Sequence, residues 1–247
     1  MINTMAKYSI ITPAYVYSPW RLKMLRRAVR SVENQTLSNW EHIIVDDGSV
    51  IPISEDLGTK VLKQPHLERI IAYNKGLREA KGKWICFLDS DDEYVSYYLE
   101  AVSAMIKKYP TAKIFNFGSI HLRENYYART RDAFKPKKEE VGHERFGGGN
   151  IVNGTFVFHH SLYDELGAFP ETCSPWDFST MAQEELPELK ELFMVNHKDE
   201  PKKIVRELGN PWGQDYYLFY KYTRKYHSIP FDCHLYIVHP SRIEHKL

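Results

Sequence analysis

Trp84-Ile85-Cys86-Phe87-Leu88-Asp89-Ser90-Asp91-Asp92-Glu93 joins a run of five mostly apolar residues directly to a cluster of acidic ones. The apolar run contains aromatic and β-branched side chains and follows Gly82, which is typical of a short buried strand. The acidic residues then lie where this strand leaves the sheet, the edge at which open α/β sheets bind ligands. Asp89, Asp91 and Asp92 place three carboxylates within four residues. Because such charges repel one another, we expect a divalent cation, Mg2+ or Mn2+, to compensate them.

Two other interpretations of this acidic cluster remain open at this point. Acidic residues after a strand often only cap the next helix. A phosphatase of the haloacid dehalogenase type also carries Asp-x-Asp after an apolar strand. In that class the strand is normally the first of its sheet, and a Thr or Val stands two residues beyond the second Asp. Here at least two strands precede, and Tyr94 occupies that place, which argues against the phosphatase.

Composition limits the class of protein. The chain has 247 residues, of which 43% are hydrophobic, enough for one large domain or two small ones with a substantial core. A net charge of +1 gives no field over the whole chain that would recruit nucleic acid. Three widely spaced cysteines without a Cys-x-x-Cys pair indicate neither a disulfide framework nor a zinc site. We expect a cytoplasmic protein without a signal peptide or membrane span, whose only membrane contact would be peripheral.

Strands and helices alternate through the first half of the chain at the lengths expected of βαβ units. The first helix carries a cationic face that we expect to be solvated. The sequence thus predicts a Rossmann-like half with a parallel sheet over residues 8–117. The expected strands are Tyr8–Thr12, stopped by Pro13, then 41–45, a weak segment within 55–63, 84–88 and 113–117, and the expected helices include 66–80 and 97–108.

Three strand ends would then lie side by side, at Thr12, at Asp46-Asp47 and at Asp89 to Asp92. Together they could hold a nucleotide base, a ribose and a metal-chelated diphosphate. The first strand is not followed by Gly-x-Gly-x-x-Gly, so backbone amides of a glycine turn cannot cradle a pyrophosphate as in enzymes of the NAD type. Metal must take over that role.

An ordered set of segments resembles the N-terminal half of family-two glycosyltransferases with the GT-A fold. The resemblance is close over about residues 7–117. It implies an α/β GT-A fold, with a mostly parallel, Rossmann-like central sheet flanked by helices and a C-terminal acceptor-binding half. The segments that carry it are Tyr8-Ser9-Ile10-Ile11-Thr12-Pro13-Ala14-Tyr15, Ser31-Val32-Glu33-Asn34-Gln35-Thr36, Trp40-Glu41-His42-Ile43-Ile44-Val45-Asp46-Asp47-Gly48-Ser49, Ala72-Tyr73-Asn74-Lys75-Gly76-Leu77, Ala80-Lys81-Gly82 and Leu88-Asp89-Ser90-Asp91-Asp92.

The resemblance also implies residue roles. It implies contacts with the base and ribose for Thr12, Ala14 and Tyr15, and a hydrogen bond from a uracil imide to Asp47. Asp89 would approach the ribose or metal. The remaining donor-binding candidates are Arg69, Asn74, Ser90 and Asp91, and the metal candidates are Asp91, Asp92 and His239.

The C-terminal half is expected to bind the acceptor. Val152 to Phe158 is predicted as a strand, and Ser161 to Leu166 as a short helix before a Gly-x-Phe turn. An inverting transfer needs a carboxylate base opposite the leaving diphosphate. The family takes it from a Glu-Asp pair that opens a helix, and the nearest match is Gln214-Asp215, so Asp215 is the candidate base. Its alternative role is to cap a helix from Asp215 to Tyr226. Glu184 and Glu185 are fallback candidates.

We therefore expect a single domain over residues 7–247, divided into a nucleotide-sugar half at 7–117 and an acceptor half at 118–247. An insertion of about residues 172–212 could form a lid or touch a membrane. The expected enzyme uses Mn2+ or Mg2+ to move a sugar from a nucleotide-sugar donor, expected to be a UDP-sugar, to a hydroxyl of a glycan or lipid-linked glycan. A binding module that has lost its chemistry and a metal-dependent nucleotidyltransferase are the alternatives. Oligomeric state is left open.

Overall fold

The computed structural model describes residues 7–58, 60–123, 126–129, 153–171 and 212–238. These residues form nine strands, five helices and one turn of 3-10 helix. The strands are β1 (Tyr8–Ala14), β2 (Trp40–Asp47), β3 (Lys60–Gln64), β4 (Trp84–Phe87), β5 (Glu93–Tyr94), β6 (Ile114–Arg123), β7 (Tyr126–Arg129), β8 (Phe156–His159) and β9 (Ser228–Val238). The helices are α1 (Pro19–Glu33), α2 (Arg69–Glu79), α3 (Tyr98–Lys108), α4 (Ser161–Leu166) and α5 (Trp212–Thr223), and the 3-10 turn is Asn153–Thr155.

All nine strands belong to one sheet, in the order β3-β2-β1-β4-β8-β6-β9-β5, with β7 paired to β6. The first four strands of this order are parallel to one another. On the other side, β8 runs antiparallel to both β4 and β6, whereas β9 is parallel to β6. The predicted α/β class with a Rossmann-like N-terminal half is confirmed, and the C-terminal strands extend its parallel sheet into a mixed one.

Helices cover both faces of the sheet. Side chains of successive strand residues point to opposite sides, and in the central strands both sides are apolar and must be buried. Ile85 and Phe87 of β4 pack with α2, α4 and α5, and Trp84 and Cys86 pack on the opposite face with α1 and α3. All four side chains are buried. The two apolar layers fix the height and tilt of the central strands, so the loops that leave these strands start from rigid positions.

Several predicted boundaries were wrong. β1 continues through Pro13 to Ala14; its pairing with β4 ends at Ile11, so the missing N–H of proline interrupts no bond in that ladder. The strand expected from Val152 begins only at Phe156, after the 3-10 turn. A Cβ at Gly154 in that turn would overlap the ring of Tyr236, which packs there.

The last helix, α5, also differs from the prediction. It begins at Trp212, three residues before the expected start at Asp215, and ends at Thr223. The predicted short helix over Ser161–Leu166 is confirmed as α4. The insertion expected at about residues 172–212 lies almost wholly outside the described residues. In the part of the chain that the structure describes, no helix combines the length and apolar character needed to cross a bilayer.

Candidate nucleotide-sugar site

The three strand ends that carry the predicted site lie next to one another. β1 is the central strand of the three, with β2 on one side and β4 on the other. Its register aligns Ala14 with Asp46 and Ile11 with Phe87, the last residue of β4. The strands are parallel, so their carboxyl ends open onto one edge of the sheet. The predicted juxtaposition of the three ends is confirmed.

Asp47 lies at one end of this edge, in a dense set of hydrogen bonds. Its Oδ1 accepts from Gln64 Nε2 at 2.7 Å and from the backbone N–H of Leu67 at 3.0 Å. Its Oδ2 lies 2.8 Å from Nδ1 of His66. The carboxylate is buried, and these donors come from the last residue of β3 and from the segment between β3 and α2. Asp47 therefore holds this segment against the end of β2.

The aromatic ring of Tyr15 lies over the same segment. Its centroid is 4.0 Å from that of His66, with 14° between the ring planes, which is a stacked arrangement. Tyr15 also contacts Tyr17, at 5.7 Å between centroids. Tyr15 is partly exposed, so this aromatic surface is accessible at the mouth of the site.

Thr12 and Ala14, the other predicted base and ribose contacts, are buried at the end of β1. The hydroxyl of Thr12 lies 2.9 Å from Nε2 of His42, which is fully buried on β2. Burial lowers the pKa of His42 to about 3, so this imidazole is neutral at physiological pH. The contacts of Thr12 and Ala14 with a base or ribose stay predictions.

The acidic loop after β4 is bound to α1 by two arginines. Arg21 Nη1 lies 3.0 Å from Oδ2 of Asp91, and Arg27 Nη2 donates to the backbone oxygen of Asp91 at 2.7 Å. Arg27 also pairs with Glu93 at 3.2 Å. The prediction that the cationic face of this helix is merely solvated was therefore wrong for these two residues. They supply part of the positive charge that the sequence assigned to a metal.

Two tyrosines hold Asp89. The hydroxyl of Tyr73 on α2 donates to its carboxylate at 2.6 Å, and its backbone N–H donates to the hydroxyl of Tyr236 on β9 at 3.1 Å. Loss of hydration raises the pKa of Asp89, and the charge of Asp91 adds to this effect. Arg69 is the strongest opposing influence. Asp89 is thus a carboxylate on which a nearby cation would act strongly.

The carboxylates of the acidic loop form no closed metal cage among the described residues. Among them, no group of three or more His, Cys, Asp or Glu side chains is arranged to hold a metal ion. Asp91 presents a partly exposed carboxylate, whereas Asp92 is buried near Tyr236. Mg2+ typically takes one or two carboxylates and completes its shell with water and substrate phosphates. The donor set fits a metal of that kind, bound together with a diphosphate. His239 lies outside the described residues.

Three further donor-binding candidates have different surroundings. Arg69 opens α2 close enough to Asp89 to oppose the rise in its pKa. Ser90 is partly exposed in the acidic loop. Asn74 is buried, and its amide group exchanges two hydrogen bonds with the backbone of Phe169, at 2.9 and 3.1 Å. Its contacts therefore hold the Gly-x-Phe turn against α2, and its donor contact stays a prediction.

The candidate catalytic residues lie in the C-terminal half of the chain, of which the structure describes fewer residues. Asp215 is in the first turn of α5, three residues after its start, so the alternative that it caps the helix from outside does not apply. An acidic residue in a first turn is still favoured by the helix dipole. Its role as a base stays a prediction. Glu184 and Glu185 lie outside the described residues.

Sequence reasoning missed residues that the structure brings to this edge. Arg21 and Arg27 were seen only as part of a charged helix face, and His66 only as a helix start. Tyr73 and Tyr236 were not considered because a tyrosine beside apolar residues carries no distinctive signal. The acidic loop was the one indication that such residues exist, since buried carboxylates require hydrogen-bond donors or cations nearby.

Known proteins resemble this chain in sequence and in fold. The family model described as Glycosyl transferase family 2 matches residues 9–167. An uncharacterized glycosyltransferase of Rickettsia conorii is 35% identical over 206 residues, which cover 71% of this chain and 32% of that protein. The chain thus spans about a third of that relative's length.

A second relative and a solved structure add to this. The Escherichia coli UDP-Glc:alpha-D-GlcNAc-diphosphoundecaprenol beta-1,3-glucosyltransferase WfgD is 33% identical over 126 residues, 45% of this chain and 48% of that protein. The crystal structure of S. aureus TarS 1-349 in complex with UDP-GlcNAc superposes with a TM-score of 0.63 at 17% identity, covering 97% of this chain and 60% of that one. That likeness concerns the fold. Since the family model covers well over half of the sequence, the chain belongs to glycosyl transferase family 2.

Proposed function

We propose that this chain is the donor-binding and catalytic part of an inverting, metal-dependent glycosyltransferase that uses a UDP-sugar. The observation that carries the proposal is the alignment of Tyr15, Asp47 and the Asp89 to Asp92 loop along one edge of the parallel strands. This edge offers an aromatic face, a hydrogen-bond acceptor and a carboxylate loop in the order in which a nucleoside diphosphate presents base, ribose and phosphates.

In this proposal the two ends of the edge perform different tasks. Tyr15 stacks on the base, and Asp47 accepts a hydrogen bond from its imide. Asp91, with Asp92 and His239 as further candidates, holds Mn2+ or Mg2+. When bound, that ion would draw off the charge that develops on the departing diphosphate. Arg69, Asn74 and Ser90 remain candidates for donor contacts.

The transfer itself requires a base on the acceptor side. The bond between the anomeric carbon and the diphosphate oxygen breaks, and its electron pair leaves with the diphosphate. The acceptor hydroxyl oxygen forms the new bond from the opposite face, and Asp215 takes its proton. Its place in the first turn of α5 supports this role, because Tyr217 and Phe169, which pack together, bring α5 against the Gly-x-Phe turn.

The acceptor and the domain division complete the proposal. Residues 7–117 would bind the donor and 118–247 the acceptor, with the insertion at about 172–212 shaping access. A glycan or lipid-linked glycan acceptor is supported by the diphosphoundecaprenol in the name of the E. coli relative. With such an acceptor, the protein would work in the cytoplasm at the inner face of a membrane.

The test is a screen of nucleotide sugars with Mn2+ or Mg2+, measuring thermal stabilisation and release of nucleoside diphosphate. We expect one UDP-sugar to stabilise the protein only when metal is present. Asp91→Asn should remove the metal-dependent shift, and Asp164→Asn, an exposed carboxylate on α4, should not. Asp215→Asn should bind donor normally and lower transfer by a factor of about 100 or more. Metal-independent stabilisation or unchanged transfer by Asp215→Asn would contradict the corresponding part of the proposal.

One observation favours a second candidate, a nucleotide-sugar-binding module without chemistry. Arg21 already pairs with Asp91, so the acidic loop is partly neutralised without a metal. Under this alternative, UDP would bind equally well with and without metal, and no donor would be turned over with any acceptor.

A further inference from the structure

His66 stands between β3 and α2, at the base end of the site. Its imidazole is 56% exposed, yet it makes two specific contacts. It stacks on Tyr15 at 4.0 Å, and its Nδ1 lies 2.8 Å from Oδ2 and 3.0 Å from the backbone oxygen of Asp47. Both of these oxygens can only accept, so Nδ1 carries the hydrogen and donates it. A half-exposed side chain is thus held by a tyrosine face and a carboxylate.

The carboxylate of Asp47 has only one oxygen that a ligand could use. Oδ1 binds Gln64 Nε2 and the backbone N–H of Leu67, which fix the chain at the entrance to α2. Releasing Oδ1 would free a buried carboxylate oxygen and a backbone donor together, which is costly. Oδ2 is therefore the oxygen left for an incoming donor group, and His66 occupies it.

We propose that the His66 imidazole fills the nucleobase subsite while no donor is bound and competes with the base for it. A flat nitrogen heterocycle that stacks on Tyr15 and donates an N–H to Asp47 Oδ2 makes the two interactions that a uracil ring with its imide N–H would make. This inference rests on the proposed function, since it takes Tyr15 and Asp47 as the base-binding pair. His66 therefore lowers the affinity for the donor, because its ring must leave the subsite before the base can bind.

The backbone around His66 is held by close contacts, whereas its side chain is exposed. Gly48, at φ 72°, lies so close that a Cβ there would come within 2.5 Å of the backbone nitrogen of His66. The next residue, Leu67, is tied to Asp47 through its N–H. The ring, in contrast, faces solvent over more than half of its surface, so a rotation about its side-chain bonds can carry it outward. Donor binding then requires a rotamer change and no loop movement.

The experiment measures UDP affinity by calorimetry, in one metal-containing buffer, for the wild type, His66→Ala and His227→Ala. His227 is an exposed histidine after α5 and serves as the matched control. We expect His66→Ala to bind UDP about tenfold more tightly, the equivalent of one charge-assisted hydrogen bond no longer displaced. His227→Ala should match the wild type. His66→Phe keeps a stacking ring but leaves Oδ2 free. Its affinity for UDP should lie between those of the wild type and His66→Ala.

Equal or weaker binding by His66→Ala would overturn the inference, since weaker binding would make His66 part of the base platform. Absence of UDP binding by every variant would instead overturn the nucleotide-site assignment on which it depends. An independent readout is the C2–H proton signal of His66, identified by its loss in His66→Ala. We expect UDP to move this signal away from the ring-current position beside Tyr15 and towards that of an exposed histidine. A signal unchanged at saturating UDP would also refute displacement.

Discussion

Replacing His42 by glutamine should make the protein less sensitive to acid. His42 is fully buried on β2, with Nε2 2.9 Å from the hydroxyl of Thr12. Burial lowers its pKa to about 3, whereas in the unfolded chain a histidine titrates near 6.5. Glutamine can place an amide nitrogen near the position of Nε2 and carries no proton equilibrium in this range.

The expected magnitude follows from the difference between the two pKa values. Between pH 6.5 and 3 the unfolded chain binds a proton at this residue and the folded chain does not. Protons therefore favour unfolding, and the free energy of unfolding falls as the pH is lowered through this window. At pH 5 the loss attributable to His42 is about 2 kcal/mol relative to pH 7.5. The carboxylates, including Asp89 with its raised pKa, titrate equally in both proteins and cancel in the comparison.

The assay is urea unfolding at pH 7.5 and pH 5, without nucleotide, for the wild type, His42→Gln and the exposed control His227→Gln. From pH 7.5 to pH 5, the wild type and the control should each lose about 2 kcal/mol more than His42→Gln, a difference of about 1 M in the urea midpoint. If His42→Gln loses as much stability as the wild type, the folded protein accepts a proton on His42 near its ordinary pKa, and the argument from burial fails.

Two further substitutions test the contacts around the acidic loop. Gly154→Ala should destabilise the protein by about 3 kcal/mol, because the added methyl group would force the ring of Tyr236 from its place, and thermal unfolding would measure the loss. Unchanged stability would show that the ring is free to shift. Arg21→Gln should raise the affinity for Mn2+ about fivefold in the absence of nucleotide, since Asp91 would no longer be shared with a cation. Titration followed by electron paramagnetic resonance measures this, with the exposed Arg26→Gln as control; a weaker Mn2+ affinity would mean that Arg21 positions the carboxylate.

The order of elements in the donor half could be predicted from the sequence because its signals are local. Apolar runs that end in Asp47 or Asp89 mark buried strands and their exits, and helical spacing marks the helices between them. The predicted ends of strands and helices were less accurate where a contact between residues far apart in the sequence determines them. Gly154 turns the chain before β8 because Tyr236, more than 80 residues later, packs against it. No pattern around residue 154 carries that information.

The site was predicted as a set of residues but not as a set of contacts. A metal was expected at the acidic loop because three carboxylates within four residues require compensation, and the family resemblance assigned Asp91 to that metal. That reasoning correctly predicted positive charge beside the loop. It could not identify Arg21, because the contact of this residue with Asp91 depends on how α1 packs beside the loop. His66 gives a second example. Its stacking on Tyr15 joins residues 51 positions apart, and only the register of β1 with β2 and of β2 with β3 brings them together.

The partners of the three acidic positions divide the edge by charge. Asp47 is satisfied by an amide, a backbone N–H and an imidazole, whereas Asp91 is paired with an arginine and Asp89 lies in the field of another, Arg69. Amide, backbone and imidazole N–H donors thus serve one end, and arginines serve the other. A ligand without an anionic group would gain little from this separation, because it would bring no additional anion to the arginine end. Under the proposed function, a ligand with a neutral heterocycle at one end and phosphates at the other would replace His66 at the first end. At the second end it would engage Arg21 and Arg69, together with a metal.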